Sequence, residues 1–347
     1  MGVNKKVPLN SQQLGKLFEK FIQQILLNSG FRKVAPDNET IYKGPSGLML
    51  HGLAQPHNTD VLVNPPFQIP FFFPSRLIVE CKCYDRKAVD LPIIRGALGL
   101  REDVNGFDIV TKEILKKRRN YRRYDTAVSD RDRYFYQVAI ASLSGFTKPA
   151  QEFALVHRIP LIDIKRMPFS NQVRKVLFSG GAEEEGVQAN QSPKNENRLV
   201  DKQWQILRKS LEDILQKFCI AILSSGDILF LYTESGKRWF FDADVEEIEL
   251  YYWTGNNNER LWRIKPTNQN AETESWFELP DILFKQWTQK KLDKEEAVNM
   301  KAQYFQNIYV MGKDKYGAVR LKVLRLSRNF IRRARNILMR EQKKGSR

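Results

Sequence analysis

The chain predicts an α/β fold, a mixed sheet flanked by helices, followed by a second α+β unit. Three observations predict it. Helix and strand periodicities alternate through roughly the first half. A polar segment without a core breaks the chain at 180–198, and strand candidates with turn residues between them crowd the residues beyond it. A length of 347 residues accommodates two domains, each long enough to bury its own core.

The elements come in this order. Leu14, Leu17, Phe18, Phe21, Ile22, Ile25 and Leu26 recur at helical spacing across 12–28, and Asn28-Ser29-Gly30 stops that helix. Short strands fit 40–43, 58–63 and 76–83. Pro92 opens a helix over 91–103, and a basic, polar stretch runs on to about 133. A buried strand fits 135–142, a helix 148–158 with Thr147 as its cap, and a last strand 160–164. The domain expectation is therefore 1–178, a flexible linker at 179–199, and 200–347. In the second unit a helix fits 201–217, and strands fit 219–223, 228–232, 238–241, 246–253 and 260–264. A helical pattern lies near 280–304, and a hairpin turns around Lys315-Tyr316-Gly317 in 307–324. A basic helix begins at about 326.

Lys and Arg number 57 against 40 Asp and Glu, a net charge of +17 that attracts polyanions, nucleic acid first among them. An anionic membrane surface competes for the same charge. Three cysteines make no disulfide framework and suit a reducing compartment. The opening MGVNKKVPLNSQQ lacks the apolar core of a signal peptide, and no run of about 18 apolar residues occurs. The expectation is a cytoplasmic protein without a membrane span.

The chemistry concentrates in RLIVECKCY, residues 76–84. Strand side chains alternate faces, so Glu80 and Lys82 share one side while Cys81 and Cys83 take the covered side. Asp60 lies in HNTDVLV, and antiparallel pairing of that strand would set it beside Glu80. Asp60, Glu80 and the backbone carbonyl of Cys81 form an oxygen set suited to Mg²⁺, with Mn²⁺ able to substitute. The metal would polarise a phosphoryl oxygen and acidify a water, and Lys82 would orient that water or offset the charge that builds up. The tripeptide alone is weak, since Asp85-Arg-Lys87, Asp163-Ile-Lys165 and Glu341-Gln-Lys343 match it too; an ion-paired Glu80–Lys82 couple is the ordinary alternative.

These residues and the order of elements resemble the PD-(D/E)XK superfamily, and within it the Mrr-like restriction endonucleases. The resemblance is carried by LGKLFEKFIQQILLNSGF with Gly15 and Glu19, by HNTDVLV, by LIVECKCY, and by VAIASLSGFTKPAQEFALVHRIPLIDI at 138–164. It covers about 12–165 and implies a restriction-endonuclease-like core that cuts phosphodiesters with a divalent metal, Asp60, Glu80 and Lys82 standing in the motif positions. It further implies a DNA endonuclease of prokaryotic defence, with recognition of DNA modification, of DNA sequence or of a partner protein as the readings of the second unit. Two cuts in a duplex make a homodimer plausible. The stretch 104–134 and the loop NPPFQIPFFFPS between the catalytic strands depart from the family pattern as insertions. The rivals are a non-catalytic nucleic-acid-binding or adaptor subunit and an RNA-cleaving effector.

Other residues keep two readings each. In the resembled families a glutamate on the first helix reaches the metal site, which makes Glu19 a candidate against a solvated helix-face residue. Gln137 either approaches the scissile phosphate or makes an ordinary strand-end hydrogen bond. His57 reads better as a neutral loop histidine than as a site residue, and Cys81 and Cys83 as core rather than zinc ligands. Lys148 is a candidate phosphate contact at a helix start. The stretch 112–123 carries seven basic residues and one acid (7 − 1 = +6), among them Lys116, Lys117, Arg118, Arg119, Arg122 and Arg123, with Tyr121 and Tyr124 interleaved. It fits backbone contact with stacking, or a solvated loop. Arg325, Arg328, Arg332 and Arg335 line one face of the last helix and Phe330, Ala334, Ile337 and Leu338 the other, a phosphate-binding or a membrane-surface helix. Phe67, Ile69, Phe71, Phe72 and Phe73 either pack under the second unit, form a satellite core, or make a partner surface.

Overall fold

The computed structural model describes residues 6–38, 40–45, 47–68, 72–106, 133–167, 169–179, 181–183, 193–224, 227–233, 241, 245–254, 260–267, 274–279, 294–314 and 316–345. Its first part runs β1 (Lys6–Pro8), α1 (Ser11–Asn28), β2 (Arg32–Lys33), β3 (Ile41–Gly44), β4 (Gly47–His51), β5 (Pro56–Thr59), β6 (Val61–Asn64) and β7 (Ser75–Lys82). Then come α2 (Leu91–Gly106), β8 (Phe135–Ser142), α3 (Lys148–Val156), β9 (Leu161–Asp163), α4 (Ser170–Ser179) and β10 (Gly181–Glu183).

A five-stranded mixed sheet in the order β2-β6-β7-β8-β9 is the frame. β6 runs antiparallel to β7, and β7, β8 and β9 run parallel. The period of two in β7 divides two apolar clusters between the faces of the sheet. Leu77, Val79 and Cys81 join α1 in one; Ile78 joins Ile94 and Ala97 of α2 and Ala150 and Ala154 of α3 in the other. Asn10 caps α1 in a reciprocal box with Gln13, so two of the helix's orphan N–H groups are satisfied where it enters the core. A separate antiparallel sheet, β3-β4-β5, runs into β6 through a bend at residue 60. The expected strand 58–63 is thus two strands in two sheets, and the bend falls on the candidate aspartate.

The rest comprises α5 (Pro193–Gln216), β11 (Phe218–Leu223), β12 (Ile228–Tyr232), β13 (Glu247–Thr254), β14 (Arg260–Pro266) and β15 (Ser275–Glu278). α6 (Lys294–Tyr304), β16 (Asn307–Lys313), β17 (Val319–Leu326) and α7 (Arg328–Gly345) complete the order. The seven strands close as a barrel, β11-β12-β15-β14-β13-β17-β16. Leu231, Ile248, Trp262, Ile264, Phe277, Ile308 and Leu324 belong to its buried core. The expected hairpin is β16–β17, with Gly317 at φ +80° in its turn, a value that favours glycine.

Several expectations change. Helix α5 opens at Pro193, so the linker is shorter than 179–199; a proline is at home in a first helical turn, and the polar PKNENR start hid the helix. Its other end is also structured, since Gly181–Glu183 pairs with β1. The two units share one core: Leu17, Phe18, Phe21 and Ile25 of α1 cluster with Trp204, Leu207, Leu211 and Ile214 of α5 and with Ile220 and Met311 of the barrel. Asn28 donates to the Leu215 carbonyl (3.1 Å), and Lys20 pairs with Asp201 (2.8 Å) across the same contact. Arg325 lies on β17, opposite Asn307, and not on the last helix, which starts three residues later. Thr147 precedes α3 but makes no side-chain capping bond. Among the described residues, Phe67, Phe72 and Phe73 form no satellite core: Phe72 is 75% exposed and Phe73 59%. Ile69, Phe71, the stretch 112–123 and the strand expected at 238–241 fall outside the described residues, except Phe241.

Candidate active site

Strand β7 brings the functional groups to one end of the sheet. In its register with β6, Val61 faces Val79, and one step further places Asp60 opposite Glu80. The bend at Asp60 frees its carboxylate from the ladder, and its Oδ2 accepts the backbone N–H of Cys81 at 2.8 Å. That bond fixes the aspartate against the Glu80–Cys81 peptide. Lys82 lies two residues on, and its Nζ donates to Glu80 Oε2 at 3.1 Å. Both side chains are only about one-fifth exposed (22% and 20%), so the pair is screened less than a surface pair would be.

Glu19 completes the group from α1. Burial, and after it the charge of Asp60, pushes its carboxyl from 4.5 up to about 7, with Lys82 and Glu80 also felt. Glu80 is raised as well, by burial first and by Asp60 second, although Lys82 opposes the shift. Burial works against the Lys82 ammonium, but the charges of Glu80 and Asp60 outweigh it and hold its pKa above the ordinary 10.5. Two carboxyls raised by burial and by the charge of Asp60 mark a site short of positive charge. Among the described residues, no group of three or more His, Cys, Asp or Glu is arranged so that it could hold a metal ion. The donor set nonetheless fits a hard cation, with carboxylate oxygens, a peptide carbonyl and an excess of negative charge.

An open cleft of about 190 Å³ leads to Asp60, lined among others by Lys16, Glu19, Lys33, Asn58 and Thr59. Gly15 stands one turn before Glu19, and a Cβ there would meet nothing within 4 Å. Lys16 and Lys33 were missed from the sequence. Lys16 had a signal, because it lies three residues before Glu19 and so on the same helix face. The α2 side adds a brace: His57 Nε2 lies 2.6 Å from Asp103 Oδ2, and Asp103 Oδ1 accepts the Ala54 N–H. His57 is therefore a half-buried partner of an aspartate on β5 rather than a loop residue, and this bond holds Asp103 below its usual value.

Asp60, Glu80, Lys82 and Glu19 are brought together; other candidates are not. Gln137 is exposed on β8 opposite Leu77, three residues before the partner of Glu80 and so about 10 Å away along the strand. Lys148 pairs with Glu152 at 3.5 Å on the surface. Cys81 and Cys83 lie with the core cluster, and burial pushes the Cys83 thiol up to about 12 and the Cys81 thiol well above its ordinary range. Both stay protonated at neutral pH, which suits core residues and not thiolate ligands. Arg328, Arg332 and Arg335 are exposed on α7; Arg332 donates to Asn329 and Arg335 to Asn299. Lys116, Lys117, Arg118, Arg119, Arg122 and Arg123 lie outside the described residues. Among the described residues no helix is long and apolar enough to cross a membrane.

No protein-family model matches the chain, and no curated protein does. Among solved structures it is similar to the crystal structure of a protein of unknown function, AF1548, at 14% identity and a TM-score of 0.28, over 56% of this chain and 98% of that one. A likeness that low carries no functional weight. The chain is a mixed α/β protein with a seven-stranded barrel in its C-terminal region.

Proposed function

We propose that the protein is a metal-dependent endonuclease of the PD-(D/E)XK kind, cutting DNA in defence against foreign nucleic acid. One observation carries the reading: Glu19, Asp60, Glu80 and Lys82 converge from a helix, a bend and a strand at one partly buried spot, where burial and the charge of Asp60 raise Glu19 and Glu80. A purely structural ion pair needs one carboxylate and not three. The order of α1, β6, β7, α2, β8, α3 and β9 supports the same reading, as does the net charge of +17.

Asp60, Glu80 and the Cys81 carbonyl are the residues that would hold Mg²⁺ or Mn²⁺. Such an ion, when bound, supplies charge neutralisation and polarisation of the phosphodiester. Asp60 is kept in place by the Cys81 N–H. Lys82 exchanges its bond to Glu80 for one to the attacking water or to the phosphate oxygen, and offsets the charge that develops there. Glu19, near 7, exchanges a proton at neutral pH and stands beside this group as a base. Lys16 and Lys33 guide the phosphate backbone along the cleft.

The test is incubation of the full chain with plasmid, single-stranded DNA and total RNA, each with Mg²⁺, Mn²⁺ or EDTA. DNA should be cut with metal and left whole in EDTA. Glu80→Gln should lower the rate at least about a hundredfold, the upper range for mere outer-shell partners of a metal, while melting normally. Lys165→Ala, in a look-alike tripeptide, should cut like the parent. Metal-independent cutting, or full activity in Glu80→Gln, would overturn the proposal; cleavage of RNA alone would reassign the substrate.

A further inference from the structure

The far end of β7 carries an unusual surface. Phe72 is 75% exposed, Phe73 59%, Phe135 45% and Phe67 40%. An isolated exposed phenylalanine needs no explanation, whereas four at the start of two adjacent strands do. Three of them, Phe67, Phe72 and Phe73, lie between β6 and β7. Gln68 accepts the Ser75 N–H at 2.7 Å and donates to the Ser75 carbonyl at 3.0 Å, which fixes Phe67 beside the first residue of β7. Phe135 donates its N–H to the Pro74 carbonyl at 2.9 Å, and so lies next to Phe73. The Arg133 guanidinium stands 5.1 Å from the centre of the Phe73 ring. Just behind, Arg76 is buried, stacks 3.3 Å over Tyr134 and donates to the Tyr136 hydroxyl, which stiffens the base of the patch.

We propose that Phe67, Phe72, Phe73 and Phe135, with Arg133, form a stacking platform for unpaired bases of single-stranded nucleic acid. Every base has a π-face, and in a duplex those faces are covered by neighbouring pairs, so exposed rings can only take bases out of a helix. The charge matches: the Arg133 guanidinium flanks the rings. A polyanion reaching the rings therefore meets positive charge on their flank. The platform lies at the opposite end of β7 from Glu80 and Lys82, seven residues or about 23 Å from Lys82. It rests on the nuclease reading for its biological sense: one site holds a strand while the other cuts. The platform would then favour substrates with an unpaired segment.

Binding separates the two ideas, because it is read in EDTA without cleavage. The full chain is titrated with fluorescein-labelled oligothymidine, oligouridine and a duplex of equal length. Phe72→Ala with Phe73→Ala should weaken single-strand binding at least about fivefold, the lower end of what one stacked base contributes, and leave duplex binding within about twofold. Phe72→Tyr with Phe73→Tyr keeps the rings and should bind like the parent. The two single-strand arms tell whether DNA or RNA is held. No binding by the parent, equal loss for strand and duplex, or no loss at all would overturn the platform. So would an unchanged oligonucleotide affinity accompanied by loss of sedimentation with phosphatidylcholine–phosphatidylglycerol vesicles, or by loss of a dimer in light scattering. Absent cleavage with a normal single-strand result would sink the nuclease and leave the platform standing.

Discussion

The sheet unit and the barrel handle charge in opposite ways. The sheet unit keeps Glu19, Asp60, Glu80 and Lys82 at the edge of its core, where desolvation raises both Glu19 and Glu80. The barrel encloses residues such as Leu231, Ile248, Ile264 and Phe277, and its half-buried carboxylates Glu274 and Glu249 are matched by basic partners. Glu274 takes both Arg263 and Lys265, and Glu249 takes Arg333 of α7. A protein keeps desolvated carboxylates beside one another only at a cost in stability, and this contrast is one ground for the nuclease reading proposed for the sheet unit. The barrel contributes packing, since α1, which bears Glu19, lies in a cluster shared with α5 and β11.

That shared cluster allows the sharpest break. Leu211 of α5 is fully buried between the units. Leu211→Ala should cost about 2–5 kcal/mol and shift one common unfolding transition in urea, followed by tryptophan fluorescence and circular dichroism. Two transitions, with only one displaced, would show that the units fold independently.

The charge contrast predicts a pH dependence of the opposite sign from a salt-bridged acid. Glu19 rises from 4.5 to about 7, so the stability it lends is complete below its unfolded pKa and is lost as pH climbs through the folded value. The loss is of order 3 kcal/mol in metal-free protein. Melting in EDTA should therefore fall between about pH 5 and 8, and Glu19→Gln should flatten the profile and melt higher than the parent at the alkaline end. Mg²⁺ should restore the parent and leave the variant less changed. A parallel profile in both proteins would remove Glu19 from the cluster.

The smallest effect concerns the barrel's last helix. Replacing Arg328, Arg332 and Arg335 with Gln should flatten the dependence of log K on log salt for duplex DNA, by up to about 2.7 units if all three touch phosphate. Arg325→Gln, on a strand instead of that helix, serves as a separate measurement. An unchanged slope in the triple variant would leave α7 with only its packing against the barrel, where Phe330 meets Tyr251 edge to face at 5.6 Å.

Legibility in the sequence tracks the range of the interactions. Helix α1 and strands β7 and β8 announce themselves through local periodicity, and the parity of β7 alone puts Glu80 and Lys82 together. Asp60 was reached by one assumption, antiparallel pairing with the neighbouring strand, and the register bears it out. The closed barrel was not readable. Its seam joins Ile220 to Met311, over a separation that no window of sequence spans, and β13 meets β17 in parallel over only Glu247 and Ile248. Helix α4 escaped because SNQVRKVLFS offers only a few apolar residues, of which Val173 and Leu177 are fully buried. Arg325 was misplaced although Ser327, a residue type that starts helices, stands just before α7. For the phenylalanine loop, composition pointed to a core as readily as to a surface, and only the fold shows which rings stay outside.

The shared cluster also has a meaning for synthesis. When residue 178 has left the ribosome, the sheet, α2 and α3 can assemble, but the flank of α1 that awaits Trp204, Leu211 and Ile220 is still bare. Another 45 residues (223 − 178) must emerge before β11 is complete. At about 5–20 residues per second that is roughly 2–9 s of uncovered apolar surface. During this interval the helix that bears Glu19 rests on the sheet alone, with its other flank uncovered.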